Sequence, residues 1–422
     1  MANDPVSSGI LGYGIPGYLI PGSDFNLPPA SSIQDLELVI YDKIMDAAGR
    51  ISNAESFTFR ENWYAPHTWE LKINADKLEA YQLLTEIKTE GHIGFIGDDL
   101  AVKVGIIEDI VKPNGILGDQ WSITGRGVLA HLEKRKMMAG FKTTTGYDAV
   151  SGVKWSTAMR RYVDRNCINA LGEGGVADAG RVIPGLTLES EDPLTNGDAA
   201  ADCDFPGRAQ TLLETEVGFQ TSSGLSCDLF WIGMRDAVGT RKKFEFRIIQ
   251  SRDLSADVEL SMDMGNVLST KFKESTLGYR NCIYVAGTGD AAARTLVKVY
   301  DGTEPTGWDR YEDYVDATDC TTTAELTQRG VETLTLKAGT RVLEFEFDTS
   351  SVSEKYGIDF RCGDFVTVVD YKYGVSMVDR ITSVTTTWTK DGKKISLGMG
   401  TAAPDLVKTM LIERKQNPGV RR

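Results

Sequence analysis

Alternating apolar and polar positions dominate the chain after residue 35. Over 68–73, Trp69, Leu71 and Ile73 alternate with Thr68, Glu70 and Lys72, the period of a strand with one buried face. Residues 36–41, 56–60, 100–111 and 121–124 are further strand segments by the same pattern. Leu78, Tyr81, Leu84 and Ile87 recur every three residues and predict a short helix over 76–89. Lys112-Pro113-Asn114-Gly115 predicts a turn. A helix over 128–137 is expected after Gly125-Arg126-Gly127.

The pattern changes over 140–230. Met159, Tyr162, Val163 and Ile168 share one side of a helix predicted over 157–171, and a second helix is predicted over 208–219. The segments 172–180 and 189–207 have the glycine and acidic content of loops. Strand patterning then resumes at 244–248, 281–286, 295–300, 342–347, 365–369, 375–384 and 394–397, with a helix over 323–337. The chain is therefore expected to be mainly β with an α+β insertion.

Two β regions resemble each other. Gly97-Asp98 leads one, a strand with acidic residues beside aliphatics comes next (Ile106 to Ile110), and the last strand ends on Gly125-Arg126-Gly127. Gly363-Asp364 leads the other, with Met377 to Ile381 in the middle and Gly398-Met399-Gly400 at the close. A duplicated small barrel and chance similarity between hairpins both produce this pattern.

Composition narrows the function. Lys and Arg number 46 and Asp and Glu 60, a net charge of −14, which is unsuited to holding phosphate backbones. No apolar run is long enough for a membrane helix. The first basic side chain is Lys43, so no charged leader region is expected. Cys167, Cys203, Cys227, Cys282, Cys320 and Cys362 are scattered singly, the usage of ordinary reduced thiols. Residues 1–35 hold Pro5, Pro16, Pro21, Pro28 and Pro29 among glycines and apolar residues, the make-up either of an arm laid on a neighbour or of a loose terminus. Residues 404–422 are locally basic, with Lys408, Arg414, Lys415, Arg421 and Arg422.

Catalytic chemistry is thinly represented. His67, His92 and His131 fall in no metal-binding spacing, and no nucleophile elbow, phosphate loop or dinucleotide fingerprint occurs. No catalytic, metal or cofactor residues are assigned. The densest patch, 308–319, runs Trp308-Asp309-Arg310-Tyr311-Glu312-Asp313-Tyr314-Val315-Asp316 and on to Asp319. Carboxylates beside aromatics are what a glycoside hydrolase needs. A solvated acidic strand is the ordinary reading of such a run.

The order of segments resembles the tail-tip hub proteins of long, non-contractile-tailed phages. The matching pieces are 68–73, 124–129 with Leu132 and Arg135, 162–166, 281–289 with Arg294, 309–317, 362–368, and Asp379-Arg380-Ile381. The resemblance implies a multi-domain hub fold with two tail-tube-like β-barrel domains per chain. The implied division is an extended arm (1–35), a first barrel (36–138), an α+β insertion (139–235), a β-rich second insertion (236–335), a second barrel (336–403) and a basic tail (404–422). It implies a homotrimer at the virion tail tip, made in the host cytoplasm, that joins the distal tail protein, the tape measure protein and tail fibre or receptor-binding proteins. Such a hub passes DNA through its lumen without sequence-specific binding or membrane insertion. An acidic lumen wall would keep the polyanion from sticking. Larger relatives append a lytic or receptor-binding extension, which this chain is expected to leave to separate proteins. The alternative reading is a carbohydrate-active enzyme or glycan-binding adhesin using 308–319.

Overall fold

The computed structural model describes residue 33 and residues 36–400, apart from 43–46, 52–53, 75–90, 97–101, 113–119, 139–147, 190–202, 206, 208–209, 234–243, 277, 290–292, 321, 338–339, 348–354 and 373. The arm expected over 1–35 (Ile33 aside), the helix over 76–89, Gly97-Asp98 and the basic tail over 404–422 lie outside the described residues.

The chain is mainly β. Its first part gives β1 (Leu38–Tyr41), β2 (Ala47–Ile51), β3 (Ala54–Asn62), β4 (Thr68–Asn74), β5 (His92–Ile96), β6 (Val102–Val111) and β7 (Gln120–Gly127). The alternation in β4 is realised as expected, with Trp69, Leu71 and Ile73 buried and the residues between them turned outward. Together with Phe57, Phe59, Phe95, Trp121 and Ile123 they form one apolar core. Phe57 of β3 meets Phe95 of β5 edge-on at 4.9 Å between ring centres, so the strands curl around this core.

The insertion comes next. It holds β8 (Val150–Val153), α1 (Trp155–Val163), β9 (Leu186–Leu188), β10 (Cys203–Phe205), α2 (Leu212–Ser223), β11 (Ser226–Trp231) and β12 (Phe244–Ile249). β12 runs antiparallel to β11 and parallel to β9. The unbroken helix expected over 157–171 stops at Val163 and passes into a π-type turn, Asp164–Ile168. Buried Asn166 accounts for the change. Its amide nitrogen donates to the Tyr162 carbonyl at 2.9 Å, and its oxygen accepts from the Met138 N–H at 3.2 Å and from Arg181 at 3.0 Å. The helix expected over 128–137 is a 3-10 helix, Val128–Lys134.

The helix expected from 208 begins at Leu212 because Thr211 caps it. The Thr211 hydroxyl accepts from Glu214 N–H while the Glu214 carboxylate accepts from Thr211 N–H, and Gly224 closes the other end at φ 76°. Thr211→Ala is expected to lower stability by about 1 kcal/mol, read from the urea midpoint. An unchanged midpoint would show that tertiary packing alone fixes where α2 starts.

The remainder comprises β13 (Glu259–Ser261), β14 (Val267–Ser275), β15 (Cys282–Ala286), β16 (Leu296–Tyr300), β17 (Glu312–Asp316), α3 (Thr323–Leu336), β18 (Thr340–Phe347), β19 (Phe365–Asp370), β20 (Val375–Thr389) and β21 (Gly392–Gly400). β15, β16 and β17 form a separate sheet with α3 packed on one face through Ile283, Val285, Val299, Val315 and Leu326.

One large sheet runs β14-β18-β21-β20-β3-β4-β7-β6-β5-β1-β2, with β19 pairing both β20 and β13. Among the described residues this path does not close on itself. Its two halves repeat one connectivity. The run β3-β4-β7-β6-β5-β1 in the first corresponds to β14-β18-β21-β20-β19-β13 in the second, differing only in that β13 joins in parallel where β1 joins antiparallel.

The agreement extends to register. The pairs Ile107↔Gly125 and Asp109↔Thr124 flank a bulge at Glu108, and Ile381↔Met399 and Ser383↔Gly398 flank a bulge at Thr382. Ala54↔Ile73 and Ser56↔Lys72 flank another, matched by Val267↔Phe347 and Ser269↔Glu346. Ile107 N–H donates to the Gly91 carbonyl at 2.8 Å, as Ile381 N–H donates to that of Asp364 at 3.0 Å. Bulges bend and re-aim a strand at one fixed position, so two shared bulges fix the alignment. Trp69 corresponds to Leu343, Ile73 to Phe347, Ile107 to Ile381 and Gly125 to Met399. The Gly-x-Gly ends noted in the sequence are therefore one residue out of step, and Asp364 corresponds to Gly91.

Candidate functional site

The face of the large sheet that points away from the cores is polar in both halves. Rows of opposed residues cross it. One runs Lys394, Thr387, Thr58, Glu70, Thr124 and Asp109; the next runs Glu346, Ser396, Thr385, Arg60, Thr68 and Arg126. Thr58 and Thr387 hydroxyls meet at 3.2 Å across the seam between the halves, and Ser122 donates to Glu70 at 2.9 Å.

Several charges on this face are paired. Arg126 bonds Glu108 through two of its nitrogens and also reaches Glu133, Lys271 pairs with Glu344, and Lys394 with Glu346. The acidic balance of the whole chain is thus not concentrated here. The arrangement offers hydroxyls and ion pairs, and among the described residues it gathers no convergent catalytic groups.

The seam between the halves is built at a tight corner. Trp63 and Tyr64, in the turn between β3 and β4, sit under Arg380 of β20, whose guanidinium lies 5.4 and 5.6 Å from their ring centres and 4.7 Å from Phe365. Arg380 also donates to the Tyr64 hydroxyl. The insertion joins in, with Trp63 Nε1 donating to the Gly224 carbonyl at 3.1 Å and the Ser226 hydroxyl to the Trp63 carbonyl at 2.6 Å.

Gly363, singled out in the sequence as part of Gly-Asp, adopts φ 99°, and a Cβ there would lie 1.9 Å from the Trp63 ring. Its neighbour Asp364 is buried and takes a fork from Arg252 plus the N–H of Arg361 at 2.9 Å. Trp63 and Tyr64 stand outside the repeat visible in the sequence. Their signal was the aromatic pair just before Pro66, between two clear strands.

The 308–319 patch divides among a 3-10 turn, β17 and residues 317–319 beyond it. Trp308 is 98% exposed at the tip of the turn. Arg310 lies between Glu304 and Glu312, which also accepts from the Tyr284 hydroxyl at 3.2 Å. Arg294 pairs with Asp316, Lys337 with Asp313, and Arg329 with Asp319. Arg310 holds the Glu312 carboxyl below its usual range, and Lys298 with Arg310 does the same for Glu304. A general acid needs the opposite shift.

The histidines have structural surroundings. His67 Nε2 stands 3.1 Å from Asp228 and His67 Nδ1 accepts from Asn62 N–H, tying β3 to β11. His92 and His131 meet Nε2 to Nε2 at 2.9 Å. Burial, with His92, Lys134 and Arg135 nearby, pushes His131 down to about 3. The six cysteines are all thiols, and burial pushes Cys167 up to about 12 and Cys227 well above its ordinary value. Fully buried Glu216 of α2 has neither oxygen hydrogen-bonded among the described residues, and burial drives its carboxyl well above the usual range. A groove of about 460 Å³ beside α1 is lined by Arg160, Arg161 and Arg165. Arg161 and Arg165 share Asp148 at 2.6 Å, and Arg160 donates to the Glu189 carbonyl.

Comparison with known proteins gives a family match over most of the chain. The model of the family described as Siphovirus ReqiPepy6 Gp37-like protein matches residues 37–401. Similar solved structures include the 43 kDa tail protein of prophage MuSo2 from Shewanella oneidensis, at 12% identity and TM-score 0.53, covering 86% of this chain and 98% of that one. The tail protein from Neisseria meningitidis MC58 is similar at 12% identity and TM-score 0.52, covering 87% and 96%. These likenesses establish a shared fold. No curated protein sequence matches the chain.

Proposed function

The chain belongs to the Siphovirus ReqiPepy6 Gp37-like protein family, a phage tail structural family, and from that membership we propose that it is the baseplate hub capping the tail tube. In this reading it assembles as a homotrimer. It joins the distal tail and tape measure proteins to fibre or receptor-binding proteins, and gates the lumen for genome ejection. The observation that carries the reading is the duplicated strand order with its shared bulges. A chain with two alike β modules lets three copies present six similar units, the match needed between a three-fold cap and a six-fold tube.

The modules are proposed to be the two barrel-like domains. The strand pairing supports a first module from β1 to β7, a second built from β13, β14 and β18–β21, and β8–β12 as the α+β insertion. The β15–β17 sheet with α3 forms the second insertion. The paired charges and hydroxyls of the shared sheet face suit a wall that DNA slides along, because among the described residues no cluster of unpaired cations is there to hold phosphates. Ion pairing at 308–319 gives the hydrolase reading no support.

Gold-labelled antibody against the chain on intact phage is the test. Label at the tail end distal to the capsid is expected. Label along the tube, at the capsid, or nowhere on the particle would overturn the hub assignment.

A further inference from the structure

The seam inside one chain shows how one module joins another. β20 gives residues Val375 to Arg380 to β19. After the bulge at Thr382, the same edge turns to β3, pairing Ser383↔Asn62, Val384↔Glu61 and Thr385↔Arg60 and continuing to Thr389↔Ser56. The bulge makes the handover, because it re-aims the strand away from its first neighbour.

The first module repeats the donor half of this junction without an acceptor. β6 pairs with β5 only through Val102 to Ile106. After the bulge at Glu108, Asp109, Ile110 and Val111 have β7 on one side and, among the described residues, no strand on the other. The second module repeats the acceptor half without a donor. β14, the counterpart of β3, pairs with β18 on one side and, among the described residues, ends the sheet on the other. Val111 and Leu268, on these two edges, are 52% and 53% exposed. A long strand edge left open is a template for pairing with another chain.

We propose that β14 of one copy of this chain pairs antiparallel with the post-bulge end of β6 in the next copy, reproducing the β20–β3 seam between subunits. Shared register fixes the partners. Ser383, Val384 and Thr385 correspond to Asp109, Ile110 and Val111, and Asn62, Glu61 and Arg60 correspond to Ser275, Glu274 and Lys273. The contacts are therefore Asp109↔Ser275, Ile110↔Glu274 and Val111↔Lys273. The two surfaces differ, so the contact is head-to-tail and repeats until a ring closes. The number of copies in that ring rests on the hub reading; the identity of the paired edges does not.

Disulfide trapping tests it, since directly opposed strand residues stand within bridging distance. Full-length Val111→Cys and full-length Lys273→Cys are purified separately, mixed and oxidised. A shift of the mixture to one covalent dimer band is expected, with neither variant giving it alone. The double variant should give a ladder that stops at the ring size. If the mixture stays uncrosslinked while the parent sediments as an oligomer, the copies meet elsewhere; the junction is overturned and the hub reading stands. If the parent is a monomer at every concentration, both fall. Should either substitution prevent folding, as judged by a lost melting transition, Asp109→Cys with Ser275→Cys occupies the next opposed pair on the same face and decides by the same bands.

Discussion

Gly363→Ala is expected to destabilise the protein by about 3 kcal/mol, the combined effect of a non-glycine residue at positive φ and an overpacked core contact. Two causes act together. The backbone sits at φ 99°, and the new methyl would lie 1.9 Å from a Trp63 carbon. Trp63 has little room to retreat, because its ring nitrogen is bonded to Gly224, its carbonyl to Ser226, and Arg380 covers its face. Gly392→Ala separates the two causes, since Gly392 has φ 122° and nothing near where its Cβ would stand. That variant should lose only the backbone strain of a side chain at positive φ, about 1–2 kcal/mol. Urea midpoints of the two variants make the comparison. Equal losses would mean that the Trp63 contact relaxes without cost and that the corner is not a fixed point of the fold.

Glu216→Gln is expected to stabilise the protein at neutral and alkaline pH and to leave it unchanged near pH 4. Burial raises the folded-state pKa of this carboxyl above its ordinary value. Below the ordinary carboxyl pKa, both folded and unfolded chains carry the proton and there is no penalty. As pH rises past it, the unfolded chain releases the proton while the folded chain keeps it. Stability then falls by up to about 1.4 kcal/mol per pH unit until the folded group also ionises. Glutamine has nearly the same shape and nothing to release. Melting temperatures of parent and variant from pH 4 to pH 9 should therefore diverge steadily upward. Parallel curves would mean that Glu216 is ionised and partnered.

The sequence shows the strands of the first module plainly because one face is buried, as in β4. It shows the duplication only faintly. The two modules share pairing and bulges, but side chains at corresponding positions differ, Trp69 against Leu343 and Gly125 against Met399. The Gly-Asp match was therefore a coincidence of turn chemistry, and Gly-x-Gly fell one residue off register. A Cβ at Gly125 would lie 1.8 Å from the Ile106 carbonyl and one at Gly398 would lie 2.5 Å from Ser383 Oγ, so both glycines stand opposite the bulges for reasons of space. β14 escaped notice because a polar edge strand lacks the alternation of a half-buried one. β17 is the solvated acidic strand that was the ordinary reading of its run, with acidic and aromatic residues turned outward and Val315 buried. The corner at Trp63 depends on contacts across hundreds of positions, which no local pattern displays.

β20 is a single uninterrupted strand whose front half belongs to one module and whose rear half is stitched into the other, with β21 alongside. Traction along its axis would load that whole row of interstrand hydrogen bonds in shear, all at once, and could not unzip them one by one. Separating the modules would thus take a large force over a short distance. The two modules gain a stiff connection from that single splice, without a covalent crosslink.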